Sequence, residues 1–302
     1  MKTVGYYPGC SLEGSGRELD LSVRAVSEAA GAALREIEDW NCCGATTAHA
    51  LNHDLAVALP YRVLALAEAQ GLREVLAPCA ACFSRLKGTA VRLGRSEELA
   101  ARMRGIVGLD YRGTVGVLNV VEYTNRLLED GLAGKLSRPR GGMKVAAYYG
   151  CLLSRGEGIV ENEDHENPSG MAAAIRAAGG EPVEWNFATE CCGGGLSLPL
   201  TDAVVDLAEA ILADARAAGA EAIVVGCPMC HSNLDMRQRM IRARGRAAGD
   251  MPVVYLTELV GLAAGLPAKA LGLDRHFVDA MHLAARLPTR LAATRADMER
   301  TP

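Results

Sequence analysis

Ten cysteines set the terms on which this chain can fold, because they repeat one five-member pattern. They fall at Cys10, Cys42, Cys43, Cys79 and Cys82, then at Cys151, Cys191, Cys192, Cys227 and Cys230, and nowhere else. Matching members are offset by 141, 149, 149, 148 and 148 residues, a drift that one insertion and one deletion explain. The flanks repeat too: GYYPGC answers AYYGC, NCCGA answers ECCGG, VLAPCAACFSRL answers VVGCPMCHSNL, and VGVLNVVEYTNRLLEDG answers MPVVYLTELVGLAAG. An internal duplication therefore precedes any finer reading.

Each half alternates compact apolar runs with longer stretches of helical period, the pattern of α/β layering. In the first half KTVGYY, LREIEDW, REVLAP and TVGVLNVV read as strands; in the second, MKVAAYY, PVEWNF, EAIVVG and PVVYL do. SGMAAAIRAAGG reads as a helix stopped by Gly179 and Gly180, and DAVVDLAEAILADARAAG as an amphipathic helix. The expectation is two tandem, pseudo-twofold-related α/β domains of Rossmann-like type, at 1–136 and 143–266. The Gly-, Pro- and Lys/Arg-rich GLAGKLSRPRGGM at 131–143 reads as the linker, and 267–302 as a helical, Arg-rich tail without counterpart in half one. The cysteines then lie at or just after the carboxyl ends of strands, where open α/β sheets place their ligand sites.

The formal charge is −4, from 32 basic and 36 acidic residues without long blocks of either sign, so no nucleic-acid footprint is visible. No uncharged run reaches the roughly 18 residues of a membrane-spanning helix. The start MKTVGYYPG reads as a strand rather than a signal peptide, and the expected location is cytoplasmic.

Five thiols per half limit the chemistry. A disulfide framework leaves one cysteine over in each half and belongs to oxidising compartments. Tetrahedral zinc fits a Cys-x-x-Cys plus two further thiolates, but has no use for a fifth. Thiol redox catalysis through Cys79/Cys82 or Cys227/Cys230 leaves three cysteines idle in each half. An iron–sulfur cluster absorbs all five, since several irons offer more coordination points than one zinc and prefer soft thiolates. Five is one more than a regular cubane needs.

The order Cys, Cys-Cys-Gly, Cys-x-x-Cys, written at Cys10, Cys42-Cys43-Gly44, Cys79/Cys82 and again at Cys151, Cys191-Cys192-Gly193, Cys227/Cys230, resembles the cysteine-rich (CCG) domain. From residue 2 to about 280 the chain is similar to the family of heterodisulfide reductase B-type subunits. That resemblance implies two CCG domains and two facing non-cubane 4Fe-4S clusters, each held by one quintet. It also implies reduction, or reverse formation, of a disulfide or related sulfur substrate. The partners it implies are an iron–sulfur protein like the reductase's C-type subunit, and a flavoprotein like its A-type subunit. Two clusters suit a two-electron reduction, because each ordinarily passes one electron. The alternatives are a protein that only relays electrons to a partner enzyme or quinone, and a zinc-binding scaffold.

Around the cysteines, His231 is the candidate proton donor, set against a plainer reading as a helix-start histidine bonded to backbone. His49 and His53, four residues apart, lack a third ligand and read as structural or solvated. Gly44 and Gly193 to Gly195 permit close backbone approach and N–H bonds to sulfur. Trp40 and Trp185 read as shields or ordinary core. Arg17, Arg85, Lys87, Arg155 and Arg237 lie close enough in sequence to the cysteines to meet an anionic thiol substrate. The identity of that substrate is not legible.

Overall fold

A parallel strand covered by helices on both faces reads as unbroken apolar sequence. Ala222–Val225 is such a run, buried at all four positions, and Lys144–Tyr148 is exposed only at its first. In the computed structural model, which describes residues 3–45, 48–136, 142–156, 158–160, 164–246 and 250–286, eight runs are strands. They are β1 (Thr3–Tyr6), β2 (Ala33–Glu36), β3 (Glu74–Leu76), β4 (Gly116–Leu118), β5 (Lys144–Tyr148), β6 (Glu181–Pro182), β7 (Ala222–Val225) and β8 (Val253–Tyr255). Two four-stranded, all-parallel sheets result, in the orders β2-β1-β3-β4 and β6-β5-β7-β8. The identical order confirms the duplication, and each half is a parallel α/β unit as the sequence implies.

The halves meet through exchanged helices. The helix after the first cysteine of half one, Arg17–Ala30, packs on the last helix of half two, Leu256–Ala263, where the buried hydroxyls of Ser22 and Thr257 share a 2.7 Å hydrogen bond. Reciprocally, Val120–Glu129 of half one packs on Gly170–Ala177 of half two, and the Asn125 amide donates to the Gly170 carbonyl at 2.9 Å. The two sister helices start alike. Glu122 accepts from the Asn119 N–H, and Glu258 from the Tyr255 N–H, each carboxylate satisfying a donor that a helix start leaves free.

Two elements differ from the sequence reading. PVEWNF contributes only its first residue to β6, because the Trp185 indole N–H turns onto the Ala147 carbonyl at 3.2 Å and the chain leaves the sheet edge. The segment after 266 forms only short helices, Ala268–Leu271, Leu273–Arg275 and Leu283–Arg286, and buries Leu271, Leu273, Ala280 and Leu283; the first of them packs on both Arg17–Ala30 of half one and Leu256–Ala263 of half two. The rest of the expected tail, 287–302, and residues 137–141 of the expected linker lie outside the described residues.

Candidate functional site

Strand ends deliver the cysteines, and tyrosines fix the loops that carry them. Tyr7, directly after β1, is fully buried and donates its hydroxyl to the Asn41 carbonyl at 2.8 Å, next to Cys42. Tyr148, at the end of β5, donates to the Glu190 carbonyl at 2.7 Å, next to Cys191. Trp40 packs edge-on against Tyr7 with centroids 5.4 Å apart, and Trp185 lies 6.0 Å from Tyr148. Between each tyrosine and the first cysteine, Gly9 and Gly150 both take φ +61°. A Cβ at Gly9 would sit 3.0 Å from Cys82 Sγ, and one at Gly150 3.1 Å from Cys230 Sγ. Glycine is required twice over at these turns, by backbone hand and by the sulfur beside it.

All ten cysteines are free thiols, set out in one palindromic order. From the outside inward, Cys10 neighbours Cys42, Cys43 lies 3.3 Å from Cys82 sulfur to sulfur, and Cys82 neighbours Cys79. In half two Cys151 neighbours Cys191, Cys192 lies 3.6 Å from Cys230, and Cys230 neighbours Cys227. The two runs approach one another at Cys79 and Cys227, both buried, which neighbour each other across the seam between the halves. Cys10, Cys42 and Cys191 are exposed and Cys151 half-buried, while the inner six are buried.

This neighbourhood sets the ionisation of the thiols. Burial, then the charge of Cys42, pushes Cys10 up to about 11; burial and Cys191 do the same to Cys151, also to about 11. Inside, the bond from Cys230 brings Cys192 down to about 7 despite its burial, with help from Asn233. The bond from Cys82 lowers Cys43, and bonds from Cys227 and Cys82 lower Cys79. The phenols report the same crowding: burial and then four thiols of its own half raise each of Tyr7 and Tyr148.

Backbone donors address the sulfurs in matched fashion. The Gly44 N–H reaches Cys42 Sγ at 3.4 Å, and the Gly193 N–H reaches Cys191 Sγ at 3.3 Å. Both glycines have positive φ, +74° and +75°.

Of the other sequence candidates, His231 is buried. Its Nε2–H donates to the Val253 carbonyl at 3.0 Å, its ring stacks on Tyr255 at 4.4 Å, and its Nδ1 stands 3.7 Å from Glu18. Burial holds its pKa well below the ordinary histidine value. Arg85 lies close enough to lower Cys43 by its charge. Arg237 donates to the Ser197 carbonyl at 3.0 Å, while Arg17, Arg155 and His53 are exposed. Sequence reasoning did not single out Asn233, whose buried amide donates to Cys192, nor the buried group of Glu18, Asp235, Glu258 and His276 behind His231. One available signal for Asn233 was its place, three residues after Cys230, matching Arg85 three after Cys82.

The residues fit a multi-iron cluster. The thiols are soft, free, largely buried and strung in line, their rims carry backbone N–H donors, and glycines keep the space beside two inner sulfurs clear. Among the described residues, no three His, Cys, Asp or Glu side chains gather as one metal ion would need them.

The model of the cysteine-rich domain, CCG, matches residues 4–87 and 145–235, one copy on each sheet. The chain belongs to the CCG cysteine-rich domain family. Among similar proteins, the 8-methylmenaquinol:fumarate reductase membrane anchor subunit of Wolinella succinogenes is 31% identical over 283 residues, covering 93% of this chain and 99% of that protein. The B subunit of the ferredoxin/F420H2-dependent CoB-CoM heterodisulfide reductase of Methanosarcina acetivorans is 27% identical over 76% of this chain and 78% of its own. A protein of Archaeoglobus profundus described as like the B subunit of heterodisulfide reductase is 26% identical over 90% and 94%. A crystal structure of a hypothetical protein from Helicobacter pylori shares the fold, with TM-score 0.73 and 13% identity, covering 92% of this chain and about half, 52%, of the other. Among the described residues, no helix is long and apolar enough to cross a membrane.

Proposed function

We propose that this chain is the catalytic iron–sulfur component of a heterodisulfide-reductase-like complex, an oxidoreductase that reduces or reversibly forms a disulfide or related sulfur substrate. Cys10, Cys42, Cys43, Cys79 and Cys82 would hold one non-cubane 4Fe-4S cluster in the unit 1–136. Cys151, Cys191, Cys192, Cys227 and Cys230 would hold the other in the unit 143–266, with 267–302 as the tail. The observation that carries this reading is the arrangement of the thiols: the two quintets come nearest one another at Cys79 and Cys227, so two redox groups held by them would be neighbours. When bound, such clusters supply single electrons, and a pair of them supplies the two that a disulfide takes.

The chain's own residues do the rest. Tyr7 and Tyr148 orient the cysteine loops, Trp40 and Trp185 cover them, and the Gly44 and Gly193 N–H groups stabilise electron-rich sulfur. His231 gives its Nε2–H to backbone, so Nδ1, facing Glu18, is the atom that would exchange a proton. No nicotinamide or flavin fingerprint occurs in the sequence, so electrons come from partners: an iron–sulfur protein of the C type, fed by a flavoprotein of the A type. We place the complex in the cytoplasm. The names of the heterodisulfide reductase relatives support this reading.

A second reading, electron relay without disulfide chemistry, is favoured by one feature. Cys79 and Cys227 close the seam between them, and two cavities of about 520 and 400 Å³ are lined by residues away from the cysteines. The fumarate reductase anchor relative points the same way.

Anaerobic purification with metal and sulfide analysis, followed by low-temperature EPR with and without thiols, tests both. The expected result is about eight irons per chain with acid-labile sulfide and a thiol-dependent paramagnetic signal. Iron with a signal indifferent to thiols would favour relay. Zinc without sulfide would overturn both readings.

A further inference from the structure

Three residues before Cys42, Asp39 takes φ +58°, which no other non-glycine among the described residues does at any positive φ. Left-handed backbone is costly for an L residue and persists where neighbours hold it. Arg62, on the helix His53–Ala69, is that neighbour. Its Nη1 donates to the Asp39 carbonyl at 2.6 Å and to Asn41 Oδ1 at 3.1 Å, and its Nη2 donates to the Asp39 carboxylate. Asn41 passes the hold on to the cysteine. Its Nδ2 donates to the Cys42 carbonyl at 2.9 Å and to the Leu59 carbonyl at 3.1 Å, while its own carbonyl accepts from Tyr7. The sister loop is built otherwise. A Cβ at Gly44 would meet Leu59 at 2.8 Å and one at Gly193 would meet Leu207 at 3.1 Å, so the two helices correspond and Arg62 is matched by Ala210, which has no side-chain donor. Asn41 is matched by Glu190, and the half-two loop is tied further back, where the Asp214 carboxylate accepts from the Asn186 N–H at 2.8 Å and its amide at 3.0 Å.

Resting on the iron–sulfur reading above, we infer that Arg62 and Asn41 are positioning residues of the half-one site alone: they hold the strained turn at Asp39 that presents Cys42 to its cluster. The ion pair with the exposed Asp39 carboxylate contributes little by itself. The bonds to the Asp39 carbonyl and the Asn41 amide set the geometry, because a planar guanidinium meets several acceptors at fixed angles and a lysine ammonium does not. Without Arg62 the turn relaxes out of the left-handed region and carries the Cys42 loop with it. The half-two loop, tied through Asp214, keeps its place.

The test is iron release from the anaerobically purified full chain to an excess of a ferrous chelator, followed by absorbance, with low-temperature EPR of the reduced chain. Cys192→Ser and Cys43→Ser, each lacking one site, assign the release phases and signals to the halves. Arg62→Ala should speed release from the half-one site about tenfold, the factor that losing one bond to a charged group supplies, and change the EPR line shape of that site. The half-two phase and signal should not move. Arg62→Lys should restore the slow release only in part. Asn41→Asp, a milder change that keeps the acceptor for Arg62 and loses the donor to the Cys42 and Leu59 carbonyls, should speed the same phase. Asp39→Gly removes the strain, since glycine takes positive φ freely, so Arg62→Ala combined with Asp39→Gly should release iron more slowly than Arg62→Ala alone. Unchanged release in Arg62→Ala, equal acceleration of both phases, or no recovery on adding Asp39→Gly would overturn the inference while leaving the iron–sulfur reading intact. A parent chain without iron and sulfide would overturn both.

Discussion

Replacing Gly9 with alanine puts a methyl group into the turn between β1 and Cys10. The backbone there has φ +61°, and the new Cβ would lie 3.0 Å from Cys82 Sγ and 3.2 Å from Tyr7 Cε1. Left-handed backbone costs an L residue about 1–2 kcal/mol. The contact adds about 1–3 kcal/mol where neighbours cannot yield. Cys82 has little freedom, being buried and held against Cys43 and Cys79, and Tyr7 is tied to Asn41. The expected loss is therefore roughly 2–5 kcal/mol, a large share of the 5–15 kcal/mol by which a typical domain is stable. If the sulfur yields, the strain appears as lost metal, because Cys82 leaves the thiol line. Urea unfolding of the metal-free chain and iron content after anaerobic reconstitution read the two outcomes separately. Gly105→Ala is the control: it lies in the helix Glu97–Val107 with open space around its Cβ and should stabilise by about 0.5–1 kcal/mol. A Gly9→Ala chain within about 0.5 kcal/mol of the parent, with full iron content, would refute this account of the turn.

Three further perturbations follow from the same contacts. Cys43→Ser or Cys192→Ser should remove or convert one cluster and leave the other, seen as a loss of roughly half the iron; loss of both clusters from either change would show that the halves are not independent. Asp235→Ala strips the acceptor from the Phe277 and Val278 N–H groups, bonded at 2.7 and 2.9 Å. It should cost about 1–3 kcal/mol and speed proteolysis between 266 and 286, so unchanged protease resistance would count against that anchor. Burial lowers His276, but its 2.9 Å bond to Glu258 outweighs this and the net pKa is raised; burial raises Glu258 itself. Both groups bind protons more tightly folded than unfolded. The His276 contribution is thus complete below the ordinary histidine range and lost as pH rises through the raised value. The stability advantage of wild type over His276→Gln should shrink as pH rises above the ordinary histidine value of about 6.5, and a difference in denaturation midpoints that stays flat with rising pH would contradict the pairing.

The sequence by itself determined the duplication, the strand-helix alternation and the clustering of each quintet at strand ends. Those are local properties: apolar periodicity, glycine at forced turns and a spacing repeated within a residue or two. The runs around Val4, Val75, Val145 and Val224 form strands because residues a few positions apart decide that much. Only the tertiary structure decided which ends of the two quintets meet. Cys79 and Cys227 are 148 residues apart, and nothing in either Cys-x-x-Cys says that it faces the other rather than solvent. Tertiary packing also turned His231 onto the Val253 carbonyl, aimed Asn233 at Cys192 and folded the chain after 266 back so that His276 reaches Glu258. A buried polar group must take whatever partner the packed halves bring to it, and that partner is fixed by how helices dock across the seam, which no local pattern encodes.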